Sequence, residues 1–275
     1  MIRQSFCYPI WAKAAASPEE LFAKTKEMGF AATEFWSWEN GGTSRPVEAG
    51  DSAQDEPGYD HVVRLAKEAG LTVCSFTGHD GIQSGLNDPS QHDRIHRELV
   101  ESLDRAAHHA IPSIIVFAGE RIPGQSDIAG LRVCARALKR LAPLAEERGV
   151  NLNLELLNSK VDHFNYLGDR TDWAIALCEM VGSPRVRILF DVYHVQINEG
   201  DVMRNLEKAL PYLGHVHTAG NPGRHELDDR QELNYRGICS LLSDAGYQGY
   251  VGHEFFARQP DKLRALQEAF QVCNL

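Results

Sequence analysis

The chain has 275 residues, 43% of them hydrophobic and 24% charged, enough for one large globular domain and neither disordered nor fibrous. Its formal charge of −10, from 28 basic against 38 acidic residues, repels phosphate backbones and argues against nucleic acid as a partner. Six scattered cysteines without a Cys-x-x-Cys pair, no apolar leader at residues 1–9, and no apolar run near the roughly 20 residues that cross a bilayer point to a reducing, cytoplasmic compartment and no membrane partner.

Residues 2–8 read as the first strand, ended by Pro9. Ser17-Pro18-Glu19-Glu20 opens a helix: Ser17 caps, Pro18 suits the first helical position, and Glu20 completes a capping box. Gly29 closes that helix. Residues 31–36 are the second strand, and a long polar loop follows to about residue 58. A helix over 60–69 stops at Gly70, and 71–77 is the third strand. The Gly-rich stretch 78–87 leads into a helix opened by Asp88-Pro89 and ending near residue 109. His108-His109 suits the negative end of that helix dipole and is given no chemistry. Residues 113–117 form a continuous apolar strand of the kind buried on both faces. A helix over 128–148 ends at Gly149. Strands at 151–156, 186–190, 215–218 and 250–254 then alternate with helices at 171–181, 202–210, 235–245 and 261–272. Eight strands alternating with eight helices predict an α/β fold, a (β/α)8 TIM barrel over residues 1–275 as a single domain. No linker or low-complexity tract divides the chain, and no Gly-x-Gly-x-x-Gly follows the first strand as a dinucleotide-binding sheet would require.

Four ligand-type residues close the last four strands: Glu155, Asp191, His217 and Glu254, separated by 36, 26 and 37 residues. Each interval is about one βα unit, so all four can project into the same mouth of the barrel. His217 stands where a short buried strand runs into the loop Thr218-Ala-Gly220-Asn-Pro222-Gly223-Arg224, which cannot extend a strand. Three carboxylates and one imidazole at close range need a divalent cation. Mixed oxygen and nitrogen ligation with a carboxylate excess favours one Mn²⁺ or Mg²⁺, with Co²⁺ and Zn²⁺ also suited. The competing reading is a buried ion-pair network without metal, for which few strand-end Arg or Lys partners are present.

Asn153-Leu-Glu155-Leu-Leu-Asn158, Phe190-Asp191-Val-Tyr193-His194-Val-Gln196, His217-Thr-Ala-Gly-Asn221-Pro222-Gly-Arg224, Glu232-Leu-Asn234-Tyr235 and Gly252-His-Glu254 together resemble the hydroxypyruvate isomerase family, within the xylose isomerase-like TIM barrels. The likeness extends more weakly to Gly29-Phe-Ala-Ala-Thr-Glu34-Phe and to the glycine loop near residues 78–88. It implies that Glu155, Asp191 and Glu254 are metal-binding acids. His217 matches the metal histidine of the related ketose 3-epimerases, where hydroxypyruvate isomerases tend to carry glutamine. Arg224 matches a substrate-binding arginine and His194 a substrate-contacting histidine. Asn158, also a substrate-binding candidate, stands where the epimerases often carry a second acid. Residues 225–231 differ from the Gly-rich segment usual in the family.

Chelation of a substrate hydroxyl and adjacent carbonyl by the metal acidifies the C–H bond between them, and Glu155 and Glu254 are the candidate catalytic acid/base pair. Arg224 can pair a substrate carboxylate in a bidentate fork. His79 and Trp38 are further substrate-binding candidates, and Trp11, Trp36 and Trp38 can wall the pocket. Glu34 reads as a strand-two end in an ion pair. The expected function is a metal-dependent isomerase interconverting a small hydroxy-ketone and hydroxy-aldehyde, of the hydroxypyruvate/tartronate semialdehyde kind or a ketose. The alternatives are a ketose 3-epimerase or an oxidised-inositol isomerase or dehydratase, then an apurinic-site endonuclease or a non-catalytic sugar-binding barrel. The expected partner is a small sugar or hydroxy-keto acid, and a homo-oligomer is compatible with the sequence.

Overall fold

Ser17, Gly29 and Gly149 bound helices where the sequence places them. The first strand, in contrast, ends at Cys7 with Pro9 already in a short helix, and Asp88 caps a 3-10 turn from which the longer helix continues at His92. The computed structural model describes residues 2–36 and 59–275. Its elements run β1 (Arg3–Cys7), α1 (Tyr8–Trp11), α2 (Pro18–Met28), β2 (Ala32–Phe35), α3 (Tyr59–Glu68), β3 (Thr72–Phe76), α4 (His92–His109), β4 (Ser113–Val116) and α5 (Asp127–Arg148). The second half runs β5 (Asn151–Glu155), α6 (Thr171–Val181), β6 (Val186–Asp191), α7 (Val192–Asn198), α8 (Val202–Ala209), β7 (Leu213–Thr218), α9 (Tyr235–Asp244), β8 (Tyr250–His253) and α10 (Lys262–Cys273). Ser17 accepts from the Glu20 backbone N–H, and Glu20 reaches back to the N–H of Ala16. Gly29 ends α2 at φ 106°, where a Cβ would also lie 2.6 Å from the Phe270 ring. Two short helices, α1 and α7, go beyond the sequence expectation. α7 follows β6 without a loop because Asp191 is both the last strand residue and the helix cap, its Oδ1 accepting from His194 N at 3.0 Å.

The eight strands are parallel and ordered β3-β2-β1-β8-β7-β6-β5-β4. The β3–β4 seam is drawn together by a parallel bridge, Thr77 with Ile115, and by the Ser113 hydroxyl donating to the Cys74 carbonyl, which makes a nearly closed TIM barrel. Outside the barrel, aromatic side chains join strand to helix: Phe6 meets Phe30 edge-on at 5.4 Å, and Phe30 meets Phe270 of α10 at 5.0 Å. Each such fully buried ring contributes roughly 1.5–3 kcal/mol by leaving water. Polar side chains also meet inside the barrel, among them Ser5, Glu34, His215 and His217. Glu34 on β2 bonds His215 and His217 on β7, although β1 and β8 lie between those strands in the sheet, so the contact crosses the barrel interior. All six cysteines are buried and none is in a disulfide. Among the described residues no helix is long and apolar enough to cross a membrane.

Candidate functional site

Glu155 ends β5, Asp191 ends β6, His217 stands next to last in β7, and Glu254 directly follows β8. Parallel pairing registers Asp191 with His217 and His217 with Gly252, so adjacent strands deliver these side chains to one level. All four residues are buried, and one donor atom from each lies within 4.8 Å of the others. His217 Nδ1 is the hub, 3.1 Å from Glu155 Oε1, 3.4 Å from Glu254 Oε2 and 3.9 Å from Asp191 Oδ2. Octahedral Mg²⁺, with bonds of about 2.0–2.1 Å, holds its donors roughly 2.9 Å apart side by side and roughly 4.1 Å apart when opposite. The donor set therefore suits a divalent cation in number and chemistry, and the three distances from His217 Nδ1 fall within that range.

Without a cation, the buried charges compensate one another. Burial alone would discharge His217, but Glu34, Glu254 and Glu155 hold its pKa well above the ordinary imidazole value. Burial pushes Asp191 up to about 7, against the pull of Arg224 and His217. Burial likewise raises Glu155, although the His217 bond opposes it. Glu254 goes the other way. Burial would raise it, but Arg224, His217 and the Trp36 indole hold it well below the usual carboxylate range. The two glutamates that sequence alone makes equivalent thus differ. Glu254 has both oxygens occupied, Oε1 by Trp36 Nε1–H at 2.6 Å and Oε2 by the Arg224 guanidinium. Glu155 binds His217 through Oε1, and its Oε2 has no hydrogen bond among the described residues.

His194 and Asn158 come together beside this cluster. Asn158 Oδ1 accepts from the N–H groups of Val161 and Asp162, which orients its amide, and Nδ2 then donates to His194 Nδ1 at 2.6 Å. The His194 proton therefore sits on Nε2, a buried donor that makes no hydrogen bond among the described residues and lies 3.8 Å from Asp191 Oδ2. Burial, then Arg224 and His163, keep this imidazole neutral. Arg224, in the left-handed region at φ 59°, has a buried Nε that likewise makes no hydrogen bond among the described residues. Its guanidinium lies 5.8 Å from the Tyr193 ring centroid.

His79 is placed elsewhere. Its Nε2 accepts from the Phe117 backbone N–H at 3.0 Å, and no described bond joins it to the four-residue cluster. Burial and Arg94 depress its pKa to about 3. Trp11 is a core residue packed edge-on against Phe255 at 5.0 Å. Trp38 lies outside the described residues. Sequence reading passed over three contributors: His163, 5.3 Å from the His194 ring; His215; and the depth at which Glu34 is used. The alternation His215-Val-His217 on one strand was the available signal, since residues two apart share a face.

Comparison with known proteins follows the same lines. The sequence model of the family described as xylose isomerase-like TIM barrel matches residues 22–274. A putative hydroxypyruvate isomerase of Homo sapiens is 33% identical over 208 residues, covering 72% of this chain and 74% of that protein. A 2-oxo-tetronate isomerase of Cupriavidus necator is 38% identical over 148 residues, and the match spans only about half of each protein, 53% and 55%. The crystal structure of a 3-keto-D-glucoside 4-epimerase from E. coli superposes with a TM-score of 0.78 over 99% of both chains, at 23% identity, a likeness of fold.

Proposed function

This chain belongs to the xylose isomerase-like TIM barrel family, and on that footing we propose that it is an isomerase of a small 2-oxo hydroxy acid. It works with one divalent cation, Mn²⁺ or Mg²⁺, held by Glu155, Asp191, His217 and Glu254. The isomerase class is supported by relatives named hydroxypyruvate isomerase and 2-oxo-tetronate isomerase. The acid substrate is carried by one observation, the two buried donors without a hydrogen bond among the described residues, Arg224 Nε and His194 Nε2, the latter 3.8 Å from Asp191 Oδ2. Leaving a buried donor unsatisfied costs about 1–3 kcal/mol, and more for a charged group. A substrate carboxylate on Arg224 and a substrate oxygen on His194 remove that cost together. A neutral ketose has no anion to offer the guanidinium.

When bound, the cation supplies positive charge that acidifies the C–H bond beside the substrate carbonyl and balances the developing oxyanion. Arg224 orients the carboxylate, and His194 donates Nε2–H to a substrate oxygen, its tautomer fixed by Asn158. Glu155 carries the proton through its unengaged Oε2, while Trp36 and Arg224 keep Glu254 a charged carboxylate. Moving one proton between neighbouring carbons on one face needs one such group. Inverting a carbon needs two groups on opposite faces. A single glutamate with a free oxygen therefore favours isomerisation over epimerisation.

A substrate panel run on chelated protein reloaded with Mn²⁺ tests this reading. Three- and four-carbon 2-oxo hydroxy acids should turn over, with kcat/KM at least about 100-fold above that of any neutral ketose, the value of one lost charge-assisted contact. A ketose preferred over every acid would end the acid reading. Arg224→Lys should raise KM for the acid by about 10–100-fold with a smaller change in kcat, because lysine cannot reproduce the planar fork.

Cation affinity should also depend on pH, with a definite sign. Asp191, with its pKa near 7, and the raised Glu155 and His217 hold protons that a cation must displace. Affinity for Mn²⁺ should therefore increase from pH 5.5 to 8, and adding the ion near pH 7 should acidify a weakly buffered solution. Isothermal titration in buffers of different ionisation enthalpy counts the released protons; a count of zero would contradict the ligand assignment.

A further inference from the structure

Beneath the four-residue cluster lies a carboxylate that the proposed chemistry does not use. Glu34 on β2 is 1% exposed, buried inside the barrel at a depth where a charge is costly unless every oxygen is engaged. Its Oε1 accepts from Ser5 Oγ at 3.1 Å. Its Oε2 meets His215 Nε2 at 2.7 Å and His217 Nε2 at 3.1 Å. Space for it is built into the opposite wall. A Cβ at Gly252 would stand 2.1 Å from Glu34 Oε1 and 3.1 Å from His215 Nε2, so a side chain there is incompatible with the carboxylate. Two residues on β7, one on β1 and a missing side chain on β8 thus converge on a single group of β2.

We propose that Glu34 is a positioning residue for the cation site: by accepting the Nε2–H of His217 it holds the ring so that Nδ1, once a cation has displaced its proton, is the ligand nitrogen facing Glu155, Asp191 and Glu254. This rests on the cation reading above. An imidazole bears its single proton on one nitrogen or the other, and only the Nε2–H form leaves a lone pair on Nδ1 for a metal. A carboxylate behind a metal-bound histidine both selects that form and raises the basicity of the ligand nitrogen. His215, on the same oxygen from the next position down that face of β7, anchors the carboxylate so that it cannot swing away from His217.

Mn²⁺ binding to the chelated full chain, followed by electron paramagnetic resonance titration, tests the proposal. The proteins compared are wild type, Glu34→Gln, His217→Gln and the double variant. Glu34→Gln should weaken binding by about 10–100-fold. In the His217→Gln background the same change should cost little, because the imidazole it positions is gone. Wild-type affinity in Glu34→Gln, an equal loss in both backgrounds, or two ions per chain would each overturn the positioning role. Should Glu34→Gln fail to fold, long-range ¹H–¹⁵N spectra of wild-type protein loaded with Mg²⁺ decide the matter. They should show His217 protonated at Nε2 and bare at Nδ1, and the reverse pattern would overturn the proposal. A wild-type chain that binds no Mn²⁺ would bring down the cation reading itself, a result distinct from any difference between variants.

Discussion

Glu155→Gln should lower kcat by about 10²–10⁴-fold, the share of a barrier that a well-placed general base removes. The amide keeps the side-chain length and one coordinating oxygen but cannot carry the proton. Two features single out this residue over Glu254. Its pKa is raised by burial, the direction that suits a carboxyl acting as a general base. Its Oε2 is unengaged among the described residues, whereas Trp36 and Arg224 occupy both oxygens of Glu254. Turnover in D₂O should place deuterium on the carbon that gains hydrogen, because the protonated Glu155 exchanges with solvent while the enediolate is bound. Product that keeps the original hydrogen, measured where exchange of Glu155 is demonstrably fast, would replace proton transfer with a direct hydride shift. Trp36→Phe separates the two glutamates further. It removes the bond to Glu254 Oε1 and should lower kcat by less than about 10-fold, a neutral donor's share.

Asp191→Asn should weaken Mn²⁺ binding by about 100-fold or more while leaving the metal-free protein at least as stable. The two effects have opposite signs for one reason. Asp191 Oδ1 caps α7, a bond that an asparagine oxygen can keep, so the helix carrying His194 stays in place. Oδ2 faces the His217 Nδ1 hub, and there the substitution removes a full charge from the proposed cation shell. In the metal-free chain that charge is a liability. A carboxyl whose folded pKa rises from 3.8 to about 7 favours folding while protonated. That contribution fades as pH climbs from 3.8 to 7, by at most about 4 kcal/mol. Asparagine carries no such pH penalty. Thermal unfolding with and without Mn²⁺ reads both effects: the Tm of chelated Asp191→Asn should match or exceed wild type near pH 8, and the increase on adding Mn²⁺ should vanish. His217→Gln should be milder, keeping part of the Mn²⁺ affinity, since it exchanges one neutral donor for another. Equal loss of binding in the two variants would contradict this ranking.

Much of this molecule is legible along the chain, because the forces that write it are local. Ser17, Gly29, Asp88 and Gly149 mark helix ends through capping and backbone conformation, each within about four residues. Apolar runs such as 113–117 declare strands buried on both faces, and their alternation with helices leaves a barrel as the economical solution. Once strands are parallel and regularly spaced, their C-terminal ends share one mouth, so Glu155, Asp191, His217 and Glu254 can be grouped before any coordinates exist. The short helix α7 escaped that reading because its cap, Asp191, looks like nothing more than a strand end. What only the tertiary structure decided is how these side chains divide the work. Trp36 reaches Glu254 across 218 residues and Glu34 reaches His217 across 183, distances that barrel closure alone brings to about 3 Å. Those contacts make two similar glutamates unequal and turn Gly252 from an unremarked strand residue into clearance for a buried carboxylate. Hydrogen bonds and charges act through space over a few ångströms, so periodicity can say which residues meet at a level of the barrel but not which atoms they offer one another.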